Sequence, residues 1–162
     1  LILAAIDIGS NAARLLISEP FLYRDGTLEF TKLSLVRIPL RLGFDVFDNG
    51  FVSEHKKEKL IDTLKAYKML MKIYNVTAYK ACATSAMRDA SNSAEIMQAI
   101  KDETGFEIRI VTGQEEASIL YETHIAENLS DNKSYLYVDV GGGSTEVALY
   151  SKTQTIFKES FN

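Results

Sequence analysis

With 162 residues, 46% of them hydrophobic, the chain is long enough to bury a sizeable core, and its length predicts one domain or slightly more. The net charge of −4 argues against a broad nucleic-acid-binding face, which needs clustered Lys and Arg, so no nucleic-acid partner is expected. One cysteine, Cys82, excludes an intrachain disulfide, and the apolar clusters near Leu1–Ile6 and Leu15–Ile17 are too short to span a bilayer, so the expectation is a cytoplasmic protein with no membrane partner.

Ile2–Ile8, the turn Gly9–Asn11 and Arg14–Ser18 read as two strands joined tightly, and Thr27–Ile38 adds a third. Ser53 is the expected N-cap of a helix to about Tyr74, where Leu60, Ile61, Leu64, Tyr67, Leu70, Met71 and Tyr74 recur at the spacing of one buried stripe. On the same helix Lys56, Lys57 and Lys59 alternate with Glu54, Glu58 and Asp62, which predicts a solvated face. Val76–Ala83 reads as a strand in which Cys82 is a buried small hydrophobe. A helix from Ser93 to Thr104 follows, with Gly105 as its C-terminal stop, then a strand over Glu107–Val111. A third helix is expected from Thr112 to about Glu127, and Leu129–Lys133 reads as a polar linker. Tyr135–Val140 and Glu146–Tyr150 flank a second glycine turn, and Thr155–Phe161 begins a further strand. This alternation predicts an α/β layer structure with a central mixed sheet. The lack of an initiator Met, and apolar alternation just before Asn162, read as a piece of a longer polypeptide.

Two copies of one pattern carry the chemistry: Asp7-Ile8-Gly9-Ser10-Asn11 and Asp139-Val140-Gly141-Gly142-Gly143-Ser144. In each, an acid ends a strand and a small-residue turn presents backbone N–H groups, the combination a phosphate chain and its divalent cation require. Gly141, Gly142, Gly143 and Ser144 form the stronger candidate cradle, because Asp139 and Glu146 flank it and both can face one cation. Gly9, Ser10 and Asn11 also suit an ordinary turn. In Thr112-Gly113-Gln114-Glu115 the spacing fits a capping box that occupies Glu115, whereas Glu116 points about 100° away around the helix. Glu116 then suits either macrodipole compensation or catalysis. Arg88, after the small-residue segment Ala83–Met87, suits a fork onto phosphate or a surface pair with Asp89 or Glu95. Arg41 is a weaker anion candidate. His55 and His124 have no second ligand at metal spacing and read as surface or packing residues.

These residues resemble the exopolyphosphatase and guanosine-pentaphosphate phosphohydrolase family, within the superfamily of actin, sugar kinases and the 70-kDa chaperones. The resemblance rests on Ala5–Asn11, Arg41-Leu42-Gly43, Ala83–Arg88, Gly113–Ala117 and Val138–Glu146, in family order. Ala12-Ala13-Arg14 departs from it, standing where many members have a hydroxyl residue and a histidine. It implies an actin-like (ribonuclease H-like) ATPase-domain fold, a mixed five-stranded sheet flanked by helices. It also implies a first domain over 1–127, the opening strands of a second over 128–162, and an active site between the two. The implied activity is Mg2+-dependent release of terminal phosphate from inorganic polyphosphate or guanosine pentaphosphate, with Glu116 as general base, Asp139 and Glu146 on the metal, and a homodimer left open. A kinase or a silent nucleotide-binding module of the same superfamily is the competing reading; the Gly113–Ala117 motif fits neither the sugar kinases nor the chaperones.

Overall fold

The computed structural model describes residues 1–120, 133–143, 145–151 and 154–161. Leu3–Ile8 (β1) and Ala12–Leu22 (β2) form an antiparallel hairpin about Gly9–Asn11, and Leu28–Pro39 (β3) continues the meander. Past Ser18, β2 pairs with β3 alone, and an edge of that kind tolerates Pro20. This makes β2 much longer than the expected Arg14–Ser18. Ala78–Ala83 (β4) then lies parallel to β1, and Arg109–Ile110 (β5) parallel to β4, which completes a five-stranded mixed sheet in the order β3-β2-β1-β4-β5.

Helices α1 (Leu42–Asn49), α2 (Glu54–Ile73), α3 (Ser85–Asp89) and α4 (Ser93–Thr104) connect these strands. Ala4, Ile6 and Ile8 of β1 stand beside Ile17, Leu15 and Ala13 of β2, and all join one core with Leu60, Leu64 and Tyr67 of α2 and Ile96 and Ile100 of α4. Alternation in the strands and three-to-four spacing in the helices aim these apolar groups at one another. Leu70 and Tyr74 of the expected stripe are only partly buried at its edge. Gly105 ends α4 in the left-handed conformation at φ 71°, as expected for a C-terminal glycine.

Tyr67 is the largest wholly buried side chain of this unit, and its hydroxyl donates to the Ala13 carbonyl at 2.9 Å. Burial pushes its phenol up to about 12. Tyr67→Phe is expected to lower stability at pH 7 by about 1 kcal/mol, the worth of one such bond. Because the folded state raises this pKa, the wild-type advantage is full below pH 10.0 and lost as pH rises through about 12, which denaturant melts of both proteins would follow.

The chain divides into two compact units, Leu1–Ile110 and Val111–Asn162. The second holds α5 (Gly113–Leu120) and a separate antiparallel sheet of β6 (Ser134–Val140), β7 (Thr145–Ser151) and β8 (Gln154–Phe161), in that order. Ala148 and Tyr150 are buried beneath Tyr135 and Tyr137, and α5 packs on β7 and β8. Residues 129–132 of the expected linker, the end of the third helix, the boundary near 128 and His124 lie outside the described residues.

Several local expectations are corrected. α1 and α3 were not anticipated, and β5 is far shorter than Glu107–Val111. Ser53 precedes α2, yet its hydroxyl donates to Asp45 instead of capping the helix. Lys56 and Lys57 are not on a freely solvated face: Lys56 pairs with Asp45, and Lys57 bridges Glu54 and Glu95. Burial alone would raise the Asp45 carboxyl, but the Lys56 and Ser53 hydrogen bonds hold it below its ordinary value. Cys82 is half-buried, because it alternates with the core-facing Ala81 and Ala83. Among the described residues, no helix is long and apolar enough to cross a membrane.

Candidate active site

The turn between β1 and β2 is tied down from three directions. The Gly9 amide donates to the Ala12 carbonyl at 3.0 Å, the Leu40 and Arg41 amides both donate to the Asn11 carbonyl, and the Gly43 amide donates to the Ser10 carbonyl at 2.9 Å. Gly43 suits this close approach, since a Cβ there would lie 3.1 Å from the Ser10 Cβ and 2.8 Å from the Phe47 ring. The Ser10 side chain is buried, and its hydroxyl shares a hydrogen bond of 2.7 Å with the Ser85 hydroxyl. The Ser10 hydroxyl is therefore engaged inside the protein, and the turn is held from within.

That Ser10–Ser85 bond joins the turn to the end of β4, where the Thr84 amide continues the ladder onto the Ile8 carbonyl at 3.1 Å. Arg88 stands three residues on, in α3, so the structure brings Gly9, Ser10, Asn11 and the Arg88 helix into one neighbourhood. The Arg88 Nε lies 3.6 Å from Asp89 Oδ1, the surface pair that the sequence allowed; Glu95 is instead taken by Lys57. Arg41 sits immediately before α1 with φ 57° and ψ 42°, a left-handed conformation that costs a non-glycine residue roughly 1–2 kcal/mol.

Asp7 and Arg14 are register partners across the hairpin, with Arg14 Nη1 3.5 Å from Asp7 Oδ2. Burial raises the Asp7 carboxyl above its ordinary value, and the Arg14 charge opposes that shift. Arg14→Ala is expected to move the Asp7 midpoint further up, which an NMR titration of the side-chain carboxyl would detect. An unchanged or lowered midpoint would contradict the assigned cause.

In the second unit the N-terminus of α5 carries the reciprocal cap that its sequence suggests. The Glu115 amide donates to Thr112 Oγ1 at 3.2 Å, and the Thr112 amide donates to Glu115 Oε2 at 2.9 Å. Glu115 therefore serves the helix terminus. On the adjoining position, Glu116 keeps its Oε2 out of contact with solvent. Lys158 of β8 donates to the Gln114 carbonyl, which fixes the first turn of α5 on the sheet, and burial lowers the Lys158 pKa.

Across the second glycine turn, Asp139 and Glu146 are direct register partners, as are Val140 and Thr145. Gly141, Gly142 and Gly143 span the turn; Ser144 lies outside the described residues. Like charges placed opposite one another in an antiparallel pair are destabilising unless something neutralises them. Among the described residues, no group of three or more His, Cys, Asp or Glu is placed to hold a metal. Two residues the sequence did not single out complete the picture: Ser85 and Arg14. Arg14 was readable from hairpin pairing, whereas nothing local in the sequence links Ser85 to Ser10. An open groove of about 580 Å3 on the first sheet is lined by Leu3, Leu16, Phe30 and Tyr79 among others, with Lys32 and Lys80.

Comparison with known proteins identifies the family and the fold. Residues 22–162 match the model of the Ppx/GppA phosphatase family. The chain is 35% identical over 151 residues to a bifunctional 3-dehydroquinate synthase/phosphatase of Fusobacterium nucleatum, and 29% identical over 153 residues to exopolyphosphatase 1 of Mycobacterium bovis. Each alignment takes in 90% of this chain, but only 22% and 41% of those relatives. Among solved structures, a Ppx/GppA family member of Aquifex aeolicus superposes with a TM-score of 0.78 at 32% identity, over 99% of this chain and 51% of that one. An exopolyphosphatase from Cytophaga hutchinsonii gives 0.84 at 27% identity, over 99% and 50%. The mixed five-stranded sheet with its helices is thus the actin-like ATPase fold, and the chain belongs to the Ppx/GppA phosphatase family.

Proposed function

We propose that this chain supplies catalytic parts of a Mg2+-dependent phosphoanhydride hydrolase that releases terminal phosphate from inorganic polyphosphate or guanosine pentaphosphate. The observation that carries the reading is the Thr112–Glu115 cap, which gives Glu115 a structural task and supports Glu116 as the base. In this reading a water oxygen attacks the terminal phosphorus while Glu116 takes a proton from that water. The bond from phosphorus to its bridging oxygen breaks, and the shortened chain leaves with that oxygen. Arg88 and the main-chain N–H groups of the Gly9–Asn11 and Gly141–Ser144 turns hold the charged oxygens.

Asp139 and Glu146 are assigned to Mg2+, directly or through water. Mg2+ keeps several waters and is commonly held by one or two carboxylates plus substrate phosphates, which suits two acids opposite one another at a glycine turn. When bound, the ion would neutralise charge on the phosphate oxygens.

The test is phosphate release by the full-length protein from long-chain polyphosphate, guanosine pentaphosphate and ATP, with Mg2+ and with a chelator. The expected result is release from one or both of the first two substrates well above that from ATP, abolished by the chelator. Turnover of ATP only with a sugar acceptor, or no turnover of any of the three, would overturn the reading.

A further inference from the structure

We infer that Asn92 is a positioning residue for the reaction: its side-chain amide locks the helix carrying Arg88 against α1, and so fixes where the Arg88 guanidinium stands relative to the Gly9–Asn11 turn. The inference rests on the reading above in which Arg88 holds phosphate oxygens. α3 has five residues, too few to hold an orientation by its own hydrogen bonds, yet it must carry a long side chain to a defined place. Ser85, Ala86 and Met87 bury its inner side, and Arg88 stands half-buried after them.

Both ends of α3 are tied. At the turn end, Ser85 shares its hydroxyl bond with Ser10, and the Arg88 amide donates back to the Thr84 carbonyl at 3.0 Å. At the far end, the Ser91 amide donates to the Gly50 carbonyl at 2.9 Å. Beside it the Val52 amide donates to Asn92 Oδ1 at 3.0 Å, and Asn92 Nδ2 donates to the Val52 carbonyl at 2.8 Å. Gly50 ends α1, and α1 starts beside Gly43, whose amide reaches the same Ser10. Between these ties α1 packs on α3. The two helices therefore form a closed frame that starts and ends at Ser10, with Arg88 on its α3 side.

Two features tie Asn92 to this frame and not to its own helix. It occupies the N-cap position of α4, where asparagine ordinarily bonds the first amides, but its side chain turns to Val52 instead. Val52 is 1% exposed, so water is a poor substitute for either bond. A side-chain amide offers a donor and an acceptor side by side, as the main chain of a partner strand would. A carboxylate supplies no donor for the Val52 carbonyl, and a single hydroxyl oxygen cannot stand at both places.

The experiment is a double-mutant cycle in the full-length protein, reading kcat/KM for tripolyphosphate in Mg2+ with Asn92→Ser, Arg88→Ala and the pair. Serine is itself a good N-cap, so α4 keeps its start. Misplacing a group at the reacting centre by about 1 Å can cost 10²-fold, so Asn92→Ser is expected to lower kcat/KM about 10- to 100-fold. In the Arg88→Ala background the same change should cost less than about twofold, because no guanidinium is left to place. Asn92→Asp keeps the acceptor for the Val52 amide and should lose less than Asn92→Ser; it carries the same cycle should the serine variant not fold. An unchanged kcat/KM in Asn92→Ser, or the same loss in both backgrounds, would overturn the positioning role while leaving the hydrolase reading intact. Arg88→Ala with wild-type kcat/KM would overturn the inference together with the part of Arg88 in that reading. A wild type that releases no phosphate would overturn both.

Discussion

Glu116→Gln is expected to lower kcat by about 10²- to 10⁴-fold with little change in polyphosphate binding, because a positioned base contributes on that scale and glutamine keeps the size and helix propensity of glutamate. Glu115→Gln is the matched control. Glutamine completes a capping box as glutamate does, so the bonds between Thr112 and residue 115 can persist and most activity should be retained. The two substitutions remove the same charge from neighbouring positions of one helix turn. A general effect of charge near the helix terminus would therefore move both alike. Steady-state kinetics on both variants reads the difference, and equal losses or a reversed order would contradict the assignment.

Asp139→Asn is expected to weaken Mg2+ binding by at least about tenfold, since changing even an outer partner of a metal ligand costs 10- to 100-fold. Calorimetric titration of Mg2+ measures this without reference to turnover. The register adds an opposite expectation for the metal-free protein. Asp139 stands directly across from Glu146, so removing one charge relieves like-charge opposition, and the thermal midpoint without Mg2+ should hold or rise. Unchanged Mg2+ affinity would remove Asp139 from the metal. Reduced affinity together with a large loss of metal-free stability would indicate damage to the hairpin.

Features that depend on near neighbours were legible in the sequence. Alternation exposed the two hairpins, the three-to-four stripe exposed α2 and α4, and the Thr112–Glu115 cap could be read from a spacing of three residues. What escaped was set by distant parts of the chain. Ser10 and Ser85 are 75 residues apart, and only the parallel pairing of β1 with β4 brings them within 2.7 Å. Without that pairing, Ser10 reads only as a residue of a small turn. Similarly, Ser53 has the composition of an N-cap, but Asp45 competes for its hydroxyl and wins.

Short elements were hidden for a different reason. α3 has five residues, too few for a period to emerge, and α1 begins with a glycine in its second position and exposes Phe44 and Phe47. Its Leu42 and Val46, buried at a spacing of four, were the available signal. Gly43 is there for closeness to Ser10, at a cost in helix propensity. The left-handed Arg41 carries no local signature at all, since its conformation is imposed by the Asn11 carbonyl and the Lys56 ammonium.

The central claim, attack of water on the terminal phosphorus, is tested most directly by hydrolysing tripolyphosphate with the full-length protein in 18O-labelled water and locating the label by mass spectrometry. The account predicts one labelled oxygen in the released orthophosphate and none in the pyrophosphate that leaves with its bridging oxygen. Label in the pyrophosphate, or orthophosphate released without label, would contradict it.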